Sequence, residues 1–321
     1  MTQKSTIIAA FFRMLEARFG NISALKEPKA AQRVLCSEGT LFGSHLRSLF
    51  RHECCAVHVK GFYPSPASGM LAQQLAHRNS RDQHTMDWKV ATGRGLESAD
   101  VNAVGGTPYV MAMDSAREQP SRLDDYFRDV PKEIEWLRLA LKSESKGISF
   151  TNLSPLDKLR LELDECWPGG ATLLKDVRGR PFLPVVGRLM QGPTRWADGF
   201  AHVDELAPLT VTRGLFSANI YLEMPPTGGE LHIWNVAWRN RWDFYRHATT
   251  LSLFTTPNED AQRQLRRILP APMRLRPEPG DLVLICVQRP HAVQGFPVGR
   301  RVSLQSFLTH KGAQNPIVID N

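Results

Sequence analysis

Two histidines and an aspartate divided between distant parts of the chain, His202-Val203-Asp204 and His291, are the residues best suited to chemistry. Two imidazoles and one carboxylate can hold a single face of a divalent iron and leave the opposite positions open to reacting molecules, an arrangement suited to oxidation. In an extended strand, residues two apart project to the same face, so His202 and Asp204 can reach one ion together. His291 must then come from a neighbouring strand. It closes the run that begins Gly280-Asp-Leu-Val-Leu-Ile-Cys286, which reads as a turn, a buried strand and an exit. Further on, Arg301 and Ser303 share a strand face and offer a cation and a hydroxyl to a carboxylate at the far end of a pocket.

His-x-Asp alone says little, because a chain with ten histidines contains roughly half of one by chance. On the bland reading His202 is a loop histidine beside a solvated acid, and His291 ends a strand. The metal reading gains from the conjunction of spacing, strand context and the downstream Arg-x-Ser.

Three stretches carry a resemblance to a known family. They are Ser217-Ala-Asn-Ile-Tyr-Leu-Glu-Met-Pro-Pro-Thr-Gly-Gly-Glu-Leu-His-Ile-Trp234, Pro277-Glu-Pro-Gly-Asp-Leu-Val-Leu284 and Pro290-His-Ala-Val-Gln-Gly-Phe-Pro-Val-Gly-Arg-Arg-Val-Ser-Leu-Gln-Ser-Phe307. Over residues 185–310 the chain resembles the Fe(II)/2-oxoglutarate-dependent dioxygenases of the prolyl-hydroxylase-like branch. His58-Val-Lys-Gly-Phe-Tyr-Pro64 resembles the strand and turn that open many such domains. The resemblance implies that His202, Asp204 and His291 are iron ligands and that Arg301, with Ser303 beside it, binds the distal carboxylate of 2-oxoglutarate. It also places Tyr221 and Leu231 in that pocket. Arg300 is the rival to Arg301; Arg301 is preferred because it alternates with Ser303, Gln305 and Phe307 on one strand face.

The implied cofactor set is Fe(II), 2-oxoglutarate as co-substrate, and O2. The implied reaction oxidises an unactivated C–H bond of a small organic substrate, such as an amino-acid derivative or natural-product intermediate, and releases succinate and CO2. Because Asp204 retains the carboxylate that related halogenases replace with a small residue, hydroxylation is favoured over halogenation; desaturation and ring closure share the same start. Alternatives are a non-enzymatic metal-binding jelly roll and an oxygenase directed at protein or nucleic acid.

Composition agrees with a soluble enzyme. The chain has 321 residues, 42% of them hydrophobic, enough to bury a large core. No apolar run approaches the roughly 18 residues that span a bilayer. Thr6-Ile-Ile-Ala-Ala-Phe-Phe12 runs straight into charged residues and reads as an amphipathic helix with Ile8, Phe12, Leu15 and Phe19 on one face. Cys36, Cys54, Cys55, Cys166 and Cys286 form an odd set without Cys-x-x-Cys spacing, as expected for thiols in a reducing, cytoplasmic setting. The net charge of +8 comes from basic residues scattered among acids, which argues against a nucleic-acid partner and for a small-molecule one.

The expected architecture is α+β: a double-stranded β-helix, or jelly roll, with supporting N-terminal helices. Residues 1–175 read as a helix-rich support and lid region and 176–321 as the catalytic core, forming one compact unit. Helices are expected around Leu41 to Phe50, from Met70, from Asp124 to Leu141 and from Pro155 to Glu165, with a strand from Ala56 to Phe62. Residues 78–110 read as a long loop or lid. Substrate contacts are sought in two places. One is the approach to His202, with Arg188 and Met190. The other is Trp234 to Arg246, where Trp234, Trp238 and Arg239 either enclose substrate or belong to a helix whose Trp234, Trp238, Trp242 and Tyr245 pack on the sandwich. His232 reads as a strand histidine, not a fourth ligand.

Overall fold

A computed structural model describes residues 3–81, 86–92, 95–141, 153–255 and 258–321. The chain opens with α1 (Gln3–Phe19), where Leu15 is buried and Phe12 half-buried while Ile8 and Phe19 remain exposed. Then come β1 (Val34–Glu38), α2 (Gly43–Phe50), β2 (Ala56–Lys60) and α3 (Ser65–Arg81). Leu46, Leu49 and Phe50 give α2 its buried stripe. Helix α3 starts earlier than the expected Met70, since Pro66 in a first turn forfeits no helical hydrogen bond.

The segment expected to be a loop is largely a hairpin, β3 (Met86–Thr92) with β4 (Gly95–Val104); residues 82–85 and 93–94 lie outside the described residues. Only Asn102 to Val104 of β4 pair onward into the sheet, with β6 (Val186–Gln191). Among the described residues the rest of the hairpin pairs only within itself, and Met86-Asp-Trp-Lys-Val90 and Ala99-Asp-Val-Asn-Ala103 alternate apolar with polar residues as strands do. Helices α4 (Tyr109–Glu118), α5 (Ser121–Leu139) and α6 (Pro155–Cys166) follow. Ser154 caps α6 by accepting the Asp157 N–H at 3.1 Å, with Pro155 in the first turn.

Strand β5 (Ala171–Leu173), β6, β7 (Gly214–Glu223) and β8 (Leu231–Ile233) precede α7 (Arg241–Arg246), α8 (Ala248–Phe254) and α9 (Glu259–Ile268). The chain ends with β9 (Met273–Leu275), β10 (Leu282–Cys286), β11 (His291–Val293), β12 (Arg300–His310) and β13 (Ile317–Asp320). The large sheet runs β1-β2-β10-β7-β12-β6-β4-β3, with β13 on β12 and β5 on β13; the small one runs β11-β8-β9. Tyr221, Val283 and Ile285 of the large sheet pack against Leu231 and Ile233 of the small one, making a two-layer jelly roll. On the outer face of the large sheet, α2, α3 and α6 supply Leu49, Leu71 and Leu159 to the main core. Strands from residues 34–104 and from 186 onward share one sheet, so paired strands lie on both sides of residue 175.

His52 ends α2 in a left-handed turn (φ +59°), buried, with Nε2 facing the Thr210 carbonyl at 3.1 Å. Burial, then the nearby Arg289 charge, brings its pKa down to about 4. Because the folded value lies below the unfolded one of about 6.5, the unfolded chain takes up the proton first, and stability is lost as pH falls through that window. The expected loss is about 2 kcal/mol between pH 7 and 5. His52→Asn tolerates the left-handed backbone but does not titrate. Its urea midpoint should fall less than wild type over that range; equal falls would show that His52 is not responsible.

Candidate active site

His202 and His291 are brought together by a reciprocal backbone bridge: each donates its N–H to the other's carbonyl, at 3.0 and 2.9 Å. Only this single pair is strand-like; Asp204 follows in a bend, its N–H donating to the Val287 carbonyl at 3.0 Å. The expected i, i+2 reach thus comes from one bridge and a bend, not a full strand. Asp204 Oδ1 lies 3.7 Å from His202 Nε2, and Oδ2 lies 3.7 Å from His291 Nε2. One ligand atom from each residue falls within 4.8 Å of the others, close enough to hold one ion.

The rings are oriented for that task. His202 Nδ1 faces the Phe200 carbonyl at 2.9 Å and His291 Nδ1 the Arg289 carbonyl at 3.0 Å. A carbonyl only accepts, so each Nδ1 carries the proton and each Nε2 presents its lone pair toward Asp204. Burial first, then the neighbouring His202, holds the His291 pKa down to about 4 against the pull of Asp204. Its imidazole is therefore neutral, as a metal ligand must be.

Two braces behind the rings were not visible in the sequence. Arg289, fully buried, pairs with Glu27 at 2.6 Å and donates to Asn235 Oδ1 at 3.1 Å, which fixes the carbonyl that orients His291. Gln262 of α9 grips Ala201 from both sides, accepting its N–H at 2.7 Å and donating to its carbonyl at 2.9 Å. Their members lie far apart in the chain, and only the fold brings them together.

A cavity of about 350 Å³ opens at the cluster. Arg301, Ser303, Tyr221 and Leu231 line it, as do Arg188 and Met190. Arg301 and Ser303 share the pocket face of β12, and Tyr221 sits opposite Ser303 on β7. The Arg301 guanidinium lies 5.0 Å from the Tyr221 ring centre. Arg301 Nε, Tyr221 OH and Ser303 Oγ are all buried without a hydrogen-bond partner, and Arg301 makes no ion pair among the described residues. Burial raises the Tyr221 pKa, although Arg301 opposes this, so the phenol remains a donor. A desolvated cation beside two orphaned hydroxyls is costly unless an anion completes it. Arg300 points elsewhere and pairs with Glu223 at 2.6 Å on the rim.

The three remaining candidates are not in the cavity lining. Trp234, Val236 and Trp238 are each fully buried at alternate positions of an extended segment, so the expected helix is confined to α7. Trp238 donates to the Leu206 carbonyl at 2.8 Å, and Arg266 stacks on Trp234. The alternation of two, not a stripe of 3.6, governs those tryptophans. Trp242 and Tyr245 are half-exposed against Phe19 and Phe12 of α1. Arg239 pairs with Glu27 and belongs to the brace behind His291. His232 lies in β8, outside the three-residue cluster.

Gly199 precedes the His202–Asp204 segment with φ +67°, and a Cβ there would sit 1.8 Å from the Val293 carbonyl oxygen. Gly199→Ala is expected to cost at least about 2 kcal/mol and to displace His202. Thermal melting combined with Fe(II) titration would check this, and a variant with wild-type melting and metal binding would contradict it.

Fold and site together define a jelly-roll protein with a two-histidine, one-carboxylate cluster at the mouth of a cationic pocket. No family model and no curated protein matches the chain. Among solved structures it is similar to an N-substituted L-amino acid dioxygenase from Burkholderia ambifaria, at 14% identity over 75% of this chain and 100% of that one (TM-score 0.39). It is also similar to SnoN, a non-haem α-ketoglutarate-dependent epimerase of nogalamycin biosynthesis, at 12% identity over 83% and 84% (TM-score 0.40). A Pseudomonas putida prolyl-4-hydroxylase matches at 14% over 80% and 92% (TM-score 0.32). Likeness at this level leaves the chemistry to be argued from the chain's own residues.

Proposed function

We propose that this chain is an Fe(II)- and 2-oxoglutarate-dependent dioxygenase that hydroxylates an unactivated C–H bond of a small organic molecule. The observation that carries this reading is the buried Arg301–Tyr221–Ser303 group, lacking an anion, in the same cavity as His202, Asp204 and His291. A protein that merely stored metal would have no use for that group.

His202, Asp204 and His291 would hold the iron, and the donor set suits it: two neutral imidazoles and a carboxylate. Arg301 would hold the distal carboxylate of 2-oxoglutarate, with Tyr221 and Ser303 donating hydrogen bonds to it and Leu231 packing against its chain. Bound iron supplies the redox chemistry by which 2-oxoglutarate and O2 give succinate and CO2, one oxygen atom entering succinate and the other the substrate. The protein's residues hold both organic molecules in register and exclude water. Asp204 fills the position a halide would need, which supports hydroxylation. Arg188 and Met190 form part of the substrate wall. No helix among the described residues is long and apolar enough to cross a membrane, and the five cysteines are free thiols; a cytoplasmic setting is proposed on that chemistry.

Anaerobic titration of the purified apoprotein with Fe(II) and then 2-oxoglutarate tests this reading. A weak visible charge-transfer band from the chelate is expected. Its absence in a folded, iron-loaded protein would favour a non-enzymatic metal-binding jelly roll.

A further inference from the structure

The cavity has two unlike walls. On the large sheet, Arg188 of β6 lies directly opposite Ser303 in the strand register, and Met190 opposite Arg301. Arg188 is thus one strand away from Ser303 and on the same face, roughly 5 Å across the sheet, and diagonal to Arg301. Its Nε donates to Gln305 Oε1 at 2.6 Å, which fixes the plane of a guanidinium that suits a carboxylate's two oxygens. Burial brings the Arg188 pKa down to about 10, against the pull of Asp204, so it stays charged at neutral pH.

The facing wall is aromatic. Trp196 and Phe200 line the cavity half-buried, their rings 4.5 Å apart at 69°. They are held in place before any ligand arrives. Asp100, also in the lining and itself in a left-handed conformation (φ +64°), accepts the backbone N–H groups of Arg195 and Trp196 at 2.7 and 3.4 Å. Trp196 Nε1 donates to the Ser98 carbonyl at 3.2 Å. Asp100 lies where the β3–β4 register shifts, and its left-handed turn, which Asp adopts readily, aims the carboxylate at that wall. Both rings line the same cavity as His202, Asp204 and His291, so a body lying on them shares that cavity with the cluster.

Lys89 is paired with Asp87 at 2.7 Å, so Arg188 and Arg301 balance Asp100 and Asp204 in the lining, and a dianionic 2-oxoglutarate would balance a divalent ion. The case for an anionic substrate therefore rests on where Arg188 is placed. Resting on the oxygenase reading above, we propose that the substrate is a carboxylic acid with a planar apolar body, its carboxylate held by Arg188 and its body laid against Trp196 and Phe200.

The test uses full-length protein, loaded anaerobically with Fe(II) and 2-oxoglutarate, in which the chelate band has been observed. Failure of the band is failure of the oxygenase reading and is seen before any probe is added. The probes are phenylacetate, 3-phenylpropionate and indole-3-acetate, each with its uncharged amide, followed by tryptophan fluorescence and calorimetry. At least one acid should bind about ten-fold or more tightly than its amide. Arg188→Met should abolish that preference while leaving the 2-oxoglutarate affinity within about two-fold, and Arg188→Lys should retain part of it. Trp196→Ala should weaken acid and amide alike. Equal binding of every acid and amide, no binding of any acid, or an Arg188→Met variant whose loss falls on 2-oxoglutarate instead would each overturn the proposal.

Discussion

His291→Ala is expected to reduce Fe(II) affinity by more than about 100-fold and to erase the 2-oxoglutarate charge-transfer band, since changes to mere supporting residues already cost 10–100-fold. The fold should survive. His291 makes its structural bond through the backbone bridge to His202, which alanine keeps, and the lost ring faces the cavity. His232→Ala provides the contrast. That ring is as buried as His291, yet its two nitrogens have no hydrogen-bond partner and it lies outside the His202–Asp204–His291 cluster, so the variant should bind iron as wild type does. Iron content after desalting, measured alongside circular dichroism, separates the cases. A His291→Ala protein that keeps iron, or a His232→Ala protein that loses it, would require a different ligand set. Glu27→Gln should give a smaller loss, because Glu27 reaches His291 only through Arg289 and its carbonyl.

What could be read from the sequence follows from how local each signal was. The shared face of Arg301 and Ser303 was legible because strand alternation is a local rule: Arg301, Ser303, Gln305 and Phe307 of β12 line the cavity, while Val302, Leu304 and Leu308 join the main core. His202 and Asp204 were legible as a pair, although the structure achieves their reach with a bridge and a bend. The Trp234 segment misled because two tryptophans four apart satisfy both a helical stripe and an extended alternation. Tertiary packing decided the matter, with Val236 bridging to Lys26 and both indoles buried. The β3–β4 hairpin was missed although Met86 to Val90 and Ala99 to Ala103 alternate apolar with polar residues, because the Arg, Asp and Gly residues around those short runs, such as Gly93-Arg-Gly95, read as loop. Asp100 could not be foreseen, since its function depends on backbone N–H groups supplied by a segment remote in sequence.

Arg301→Ala is expected to raise the 2-oxoglutarate requirement about 100-fold, the usual scale for truncating one partner of a buried charged pair. Arg300→Ala should change it by less than about two-fold, because the Arg300–Glu223 pair sits on a half-exposed rim where such bridges contribute about 0–1 kcal/mol. A second readout separates a ligand anchor from a structural arginine. Without ligand, Arg301 is a buried cation lacking an ion-pair partner among the described residues, so Arg301→Met should melt no lower than wild type in the absence of 2-oxoglutarate. Added 2-oxoglutarate, with metal present, should raise the melting temperature of wild type but barely that of the variant. If instead Arg300→Ala raised the requirement and Arg301→Ala did not, β12 would be one residue out of register. A slip of one residue sends every side chain of a strand to its other face, so Ser303 and Gln305 would leave the cavity together with Arg301.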